Sequence, residues 1–451
     1  MEDTTTTKNA HALATGGFTR EAVAELSRQR REPAWLAEKR QRGWSLFEDI
    51  PLPTTRDEHW RRTDLRPLKW ETLRRSVDPP TAVAVPDNLP APLRAALDLA
   101  EPAAGRLVLW NGHPVWREVV PDLVARGVIF TDLATAVHEH PDLVRLHLMS
   151  DCVTAGENKF TALHAALWDG GAFIYVPPGV EIKQPFEVVV GLSGEGTAVL
   201  PHTLIVADHQ SVVTVIEDNL SLDDGQPAFS SGVSEIIAGA GAQVTYAHLQ
   251  RWGDGVLSFN TRRALHATDS RVVWELGQLG GRLSKTYVDS LLRGDGASTQ
   301  FNGVYFVRGR QHIDLDTLMH HSGRGTTGDL LLKGAAQERG RAVFEGMIRI
   351  DPGAQQTDSY LKSDNLILSD KARIDAIPGL VIDANDVRAS HGATVGRVDE
   401  DHIFYLQSRG IPRAAAVRMV VEGFFTSVFD RMSQERVRRK LAMAVSERLG
   451  D

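Results

Sequence analysis

Between residues 160 and 382 the chain is a succession of short apolar-alternating runs, among them AFIYVPPGVEI, FEVVVGL, TLIVADHQSVVTVIED, SEIIAGAGAQVTYAHL, SRVVWELG and TQFNGVYFV. Hardly a helical period occurs among them, and the period of two predicts strands. Turn signals separate them at Gly170-Gly171, Pro178-Gly179, Asp208-His209, Gly239-Ala240-Gly241, Asp269-Ser270, Gly294-Asp295-Gly296 and Pro352-Gly353. Their uneven spacing disfavours a propeller. What remains is a mainly β chain built on a right-handed parallel β-helix of imperfect coils, with a sandwich as the weaker option. The stretch 341–396 shows the scheme best. Apolar positions in 342–350 alternate with polar ones up to Pro352-Gly353, and Leu366, Ile367 and Leu368 run into the Ser369-Asp370 turn. Ala372, Ile374 and Ala376 then alternate with Arg373 and Asp375. Polar side chains are expected to face outward at every level, and small or β-branched ones inward.

Helical periods flank this core. Residues 1–17 are read as a disordered tail on composition, and 18–105 as an N-terminal helical region. Thr19 is the expected N-cap of a helix with Ala22, Val23 and Leu26 on one face. The arginine-rich run 28–42 is interleaved with Glu32 and Glu38 and reads as a solvated helix face. A proline-punctuated segment follows in which Trp60 and Trp70 are expected to anchor a loop on the core. Residues 106–158 form a mixed connector: strands 106–110 and 114–120 hinged on Asn111-Gly112, then helices at 132–139 and from Pro141. The β-helix core is placed at 159–396 and a C-terminal helical region at 397–451. There a short helix at 399–408 ends at Arg409-Gly410, and Pro412 is expected to open a second. On the second, Val417, Val420, Val421, Phe424, Phe425 and Val428 form one apolar stripe, which either caps the end of the coil or serves a partner. The last helix, 434–449, carries Arg436, Arg438, Arg439 and Lys440, read as a solvated face.

Composition narrows the function. The 451 residues hold 50 Lys and Arg against 58 Asp and Glu, a net charge of -8, so no global basic field invites nucleic acid. A single cysteine excludes both a disulfide framework and a four-cysteine metal or cluster site. That residue, Cys152, reads as a packed small hydrophobe. No apolar run approaches the ~20 residues of a membrane span, and the N-terminus has no signal-type apolar region, so a cytoplasmic location is expected. GRGTTG at 323–328 fits G-x-G-x-x-G but lacks the strand-to-helix setting and is read as a turn, and no Walker A sequence is present.

Candidate chemistry is sparse. His312, Asp314, Asp316, His320 and His321 are ligand-type residues in one segment, and on a strand 312, 314 and 316 share a face. The same alternation is what any coil exposes. Ser390-His391 stands where the strands give way to helices, a place where a partly exposed imidazole can bind metal or carry protons. A β-helix polysaccharide-active enzyme using Asp314, Asp316 and His312 is one alternative, and a homodimeric structural protein with a free sheet edge is another.

The blocks FEGMIRIDPGAQQTDSYLKSDNLILSDKARIDAIPGLVI, DANDVRASHGATVG, DHIFYLQSRGI and KFTALHAALWDGGAFIYVPPGV resemble the SufB/SufD family of iron-sulfur cluster assembly scaffolds. The resemblance covers about 159–429, and EHWRRTDL at 58–65 looks like a short motif these proteins carry before the core. SHGATVG at 390–396 has the SufD form. The resemblance implies a non-catalytic subunit that pairs with SufB through the end of its coil and binds the ABC-type ATPase SufC through its terminal helices. Phe404, Tyr405, Val417, Val420, Val421, Phe424 and Phe425 would then be docking residues. His391 matches a histidine implied in cluster assembly or ligation at the SufB seam. No cofactor is expected to be held stably by this chain alone. A nascent iron-sulfur cluster would be shared with SufB, and a flavin in the complex is left open. The segment 369–374 lacks the cysteine that SufB carries, and residue 389 is Ala where some SufD proteins have Cys, so SufB would supply the thiolates.

Overall fold

A period of two sends alternate side chains to opposite faces of a strand, and this chain uses it to wind two sheets around one core. The computed structural model describes residues 17–76, 78–97 and 99–450, so the expected tail at 1–17 lies outside the described residues except for Gly17. Successive strands alternate between the sheets. The first contains Gly170–Val176, Pro201–Ala207, Ala228–Ala238, Val256–His266, Leu283–Leu292, His312–His321, Arg341–Ile350 and Arg373–Ile382. The second contains Phe186–Leu192, Val212–Ser221, Gln243–Arg251, Arg271–Gln278, Ser298–Val307, Thr327–Ala336, Asp358–Ile367 and Arg388–Arg397. Neighbours in each sheet pair in parallel, with His312 opposite Leu283 on one side and Arg341 on the other. The protein is a parallel β-solenoid of about eight turns, and the parallel pairing removes the sandwich. GRGTTG lies at the turn between His312–His321 and Thr327–Ala336, as expected.

In-register pairing stacks like positions into columns. Tyr246, Trp274, Phe301, Leu330 and Leu361 form one inward column, with Tyr246 and Trp274 edge to face at 5.7 Å and Trp274 stacked on Phe301 at 5.9 Å. The expectation that polar residues face outward at every level fails. Glu217 points into the coil and accepts from Thr203 Oγ1 at 2.6 Å and Tyr246 Oη at 2.9 Å. Beside it, Arg262 donates to His248 Nε2 at 2.6 Å. Glu217, Thr203 and Tyr246 partner one another across coils, which offsets part of the burial penalty, whereas Arg262 Nε and Nη1 find no partner among the described residues.

One end of the coil is closed by antiparallel pairing. Gly105–Trp110 and His113–Val119 form the expected hairpin, turning on Asn111 (φ 49°) and Gly112 (φ 82°), both left-handed as such a tight turn requires. Gly105–Trp110 lies beside Phe186–Leu192, and Ile129–Asp132 runs antiparallel to Gly170–Val176. Helices Leu133–Glu139 and Pro141–His147 follow, near their expected places.

Helices cover the outer faces. Arg20–Gln29, capped by Thr19, and Ala34–Asp49 pack with Lys159–Leu167 over the first sheet. Gly43 lets two helices touch, since a Cβ there would stand 2.8 Å from Ala165 Cβ. The arginine run is not uniformly solvated. Arg40 is fully buried, paired twice with Glu32 at 2.8 Å and lying over the Trp168 ring. At the other terminus Glu400–Ser408 precedes Arg413–Phe429, with Pro412 at the N-cap rather than inside the helix. The Val421, Phe425 and Val428 stripe does not cap the coil end. It lies along the outer face of the second sheet, against Ala247, Leu249, Val304 and Phe306. The final helix, Glu435–Leu449, is clamped by two of its cations: Arg436 pairs with Glu187, and Lys440 lies 3.4 Å from Asp218. Their partners lie too far along the chain for local charge patterning to reveal.

His266 and His321 both face the interior. His321 is held by Thr326 Oγ1 at 2.9 Å and Ser359 Oγ at 3.1 Å, whereas neither ring nitrogen of His266 has a partner among the described residues. Burial, with His321 nearby, pushes His266 down to about 3 from the usual 6.5. Its folded pKa lies below its unfolded one, so as pH falls through 6.5 the unfolded chain takes up a proton that the folded chain refuses. At pH 5 this costs about 2 kcal/mol of stability. The variant His266→Leu is expected to lose less stability than the native chain between pH 7 and pH 5, as read by urea unfolding at each pH. Parallel losses would place the acid sensitivity elsewhere.

Candidate functional site

The far end of the coil is uncovered. The two sheets finish on Arg373–Ile382 and Arg388–Arg397, and among the described residues no strand pairs with their outer edges. His391 sits opposite Leu361, so it continues the inward column that begins at Tyr246, yet it is exposed because no further coil covers it. Ile382 and Val395 fall in inward columns through Ile350 and Asn365 and are likewise exposed. An imidazole thus stands at the mouth of the coil, ringed by small and aliphatic side chains. The thiol of Cys152 is buried in the first-sheet helical cluster, donating to the Arg263 carbonyl, and burial pushes its pKa well up. It behaves as the packed hydrophobe expected of it and offers no thiolate to this end.

The second group of chemistry-bearing residues lies under residues 58–65, which cross the outer face of the first sheet as a strap. Trp60 stacks on Phe160 at 5.5 Å, and Phe160 on Phe259 at 3.9 Å, so the expected tryptophan anchor is present. Trp70 is half-buried against Phe18 and Phe229. Beneath the strap, Lys285 Nζ lies 2.9 Å from Asp314 Oδ1 and 2.8 Å from Asp316 Oδ2, and donates to the His59 carbonyl at 2.9 Å. Burial pulls this lysine's pKa down, but the two aspartates outweigh it and hold it above the usual value. Burial raises both aspartates against Lys285, Asp316 most of all. Thr63 bonds Asp314 and lies 2.9 Å from His312 Nε2, and burial with Arg341 nearby pushes His312 down to about 4.

The expected ligand set therefore does not converge. Asp314 is buried and His312 partly so, both engaged by Thr63, whereas His320 is at the far end of the same strand, 2.9 Å from Asp351. At ~3.3 Å per residue the two histidines are roughly 26 Å apart. His321 faces the opposite side, into the coil. The described residues do bring His59, Asp316 and Glu345 within 4.8 Å of one another. There the Lys285 ammonium already supplies the positive charge that a metal ion would bring. Sequence reading missed Lys285, His59 and Glu345. Lys285 sits in an apolar-alternating run that resembles any strand, and its partners come from two distant segments, the strap and the neighbouring strand.

On the C-terminal helices the stripe divides. Val421 and Phe425 are fully buried against the second sheet, Val417, Val420 and Phe424 are partly covered, and Phe404 and Tyr405 stand 72% and 57% exposed.

Residues 190–424 match the family described as SUF system FeS cluster assembly, SufBD core domain, and residues 106–188 match the SufBD protein N-terminal region. The iron-sulfur cluster assembly protein SufD of Bacillus subtilis is 34% identical over 435 residues, covering 95% of this chain and 97% of that protein. SufB of the same organism is 29% identical over 416 residues, covering 90% and 88%, and a SufBD family protein of Staphylococcus epidermidis gives the same identity and coverage. The chain belongs to the SufBD family of iron-sulfur cluster assembly proteins. Among these relatives it is more similar to SufD than to SufB. The strap and the final helix lie outside both matched SufBD regions. Among the described residues no helix is long and apolar enough to cross a membrane.

Lys285 has a side chain 1% exposed and holds two buried carboxylates apart. Lys285→Met is expected to lower the unfolding free energy by roughly 3–5 kcal/mol in urea titrations, the usual result of orphaning buried charge. Trypsin should then cut at Arg61 or Arg62 before the coil unfolds. A loss under 1 kcal/mol with an intact strap would show that the cluster does not secure it.

Proposed function

We propose that this SufBD protein is a non-catalytic scaffold subunit that lays the open end of its coil against a SufB-like paralogue and receives the SufC ABC-type ATPase on its C-terminal helices. The observation that carries this reading is the uncovered mouth, where two unpaired strand edges and exposed interior side chains surround His391. Edges of this kind are ordinarily paired or blocked, and a paralogous coil of similar architecture would continue both ladders. His391 contributes one imidazole to a nascent iron-sulfur cluster, the cargo of assembly, and the thiolates come from the partner. Phe404 and Tyr405 are the exposed aromatic anchors for the ATPase. The polysaccharide-active alternative loses its acid-base pair, because Asp314 and Asp316 are sealed beneath the strap and neutralised by Lys285.

Co-expression with SufB and SufC of the same organism, followed by size-exclusion chromatography with light scattering, tests the reading. The expected product holds one copy of this chain, one SufB and two SufC. Val395→Asp should release SufB and keep SufC, whereas Phe404→Ala with Tyr405→Ala should release SufC and keep SufB. His391→Ala should assemble normally yet form several-fold less cluster in reconstitution. Elution of this chain alone or as a homodimer, with both partners present, would defeat the partner assignment.

A further inference from the structure

A cavity of about 630 Å³ opens between the strap and the turns that lead into the first-sheet strands. Its size is that of a small-molecule site. Four arginines line it: Arg62 from the strap, Arg282 and Arg310 from successive turns, and Arg341 one coil further. Against them stand Asp64 and Asp254. Asp64 is bonded to Arg66 and Asp254 accepts from Gln311 Nε2 at 2.9 Å, so both carboxylates are engaged. Arg62 reaches Glu345 at 3.3 Å and Arg341 reaches Asp375 at 3.4 Å, both loosely. Among the described residues Arg282 and Arg310 have no carboxylate within ion-pair distance, and Nε of Arg341 is buried without a hydrogen-bond partner.

The arrangement repeats along the coil axis. A second hollow shares Arg310 and adds Arg339 and Lys371, which hold the same position two residues before the paired column His312, Arg341 and Arg373, with Glu338 beside them accepting from the Gly309 N–H at 3.1 Å. Coils are ~4.8 Å apart, so Arg310, Arg339 and Lys371 stand one over another, while Arg282 and Arg341 enter the first cavity from the adjoining register positions, and such like charges cost stability unless negative charge lies among them. Guanidinium forks match a row of oxyanions better than a single one, and the only ring in the lining is the His312 imidazole, already held by Thr63.

We propose that this cavity is a binding site for a phosphate chain, a pyrophosphate or triphosphate group, held by Arg282, Arg310 and Arg341 under the strap. The inference is independent of the scaffold reading. Inorganic triphosphate and ATP are titrated separately into the full-length chain by calorimetry in about 0.1 M salt, where distant surface charge is screened. The double variant Arg282→Gln with Arg310→Gln, two turn side chains without ion partners, should keep its thermal transition and bind at least tenfold more weakly. Arg271→Gln, on the second sheet, should bind as the native chain does. Equal affinity for the two ligands supports a site for the phosphate chain alone, and tighter ATP binding supports a nucleotide as its natural source. Absence of binding by both ligands, or equal binding by the double variant and the native chain, overturns the proposal.

Discussion

Hydrogen bonds running along the coil axis set the terms for everything else in this molecule. In a parallel solenoid the N–H and C=O groups of each coil point at the coils above and below, so a coil is satisfied only between two neighbours. The first end meets this demand with a hairpin and a short antiparallel strand. The far end does not meet it among the described residues. Because each unpaired group forgoes about 1 kcal/mol, two ten-residue edges are a considerable incentive for association.

A second demand comes from the interior. Solenoid cores gain stability from stacked apolar columns, and the Tyr246 to Leu361 column is of that kind. Alongside it the chain buries Glu217, Arg262 and His248. Such groups hold only when each finds its partner in the right coil, so they penalise any slip in register far more than leucines would. The same device appears outside, where Lys285 joins two neighbouring first-sheet strands to the strap.

Much of this was readable in the sequence, and the failures share a cause. The period of two and the turn residues disclosed the coil, Asn111-Gly112 the hairpin, and Thr19 the first helix cap. The place of His391 at the junction of strands and helices was legible from the change of period, although that change does not reveal that it tops an inward column. What could not be read were partners far apart in sequence. Arg436 meets a carboxylate 249 residues away, and Lys285 a carbonyl 226 away. Local windows saw only cations beside solvent-facing carboxylates and took them for surface. Inward polar residues were missed for a related reason: alternation tells which residues share a face but not which face is buried.

The C-terminal helices run lengthwise along the second sheet rather than sitting on one coil. The final helix touches Glu187, Asp218 and Gly277, while the preceding helix and its loop reach Lys333 and Asp329. The pair thus bridges strands from Phe186–Leu192 to Thr327–Ala336. A force applied at the exposed Phe404 and Tyr405 is therefore spread over several coils at once. Hydrogen bonds and packed side chains then resist together in shear, where a tether to a single coil would let them peel apart one after another. The splint lets the solenoid be pulled as a beam rather than unwound as a thread.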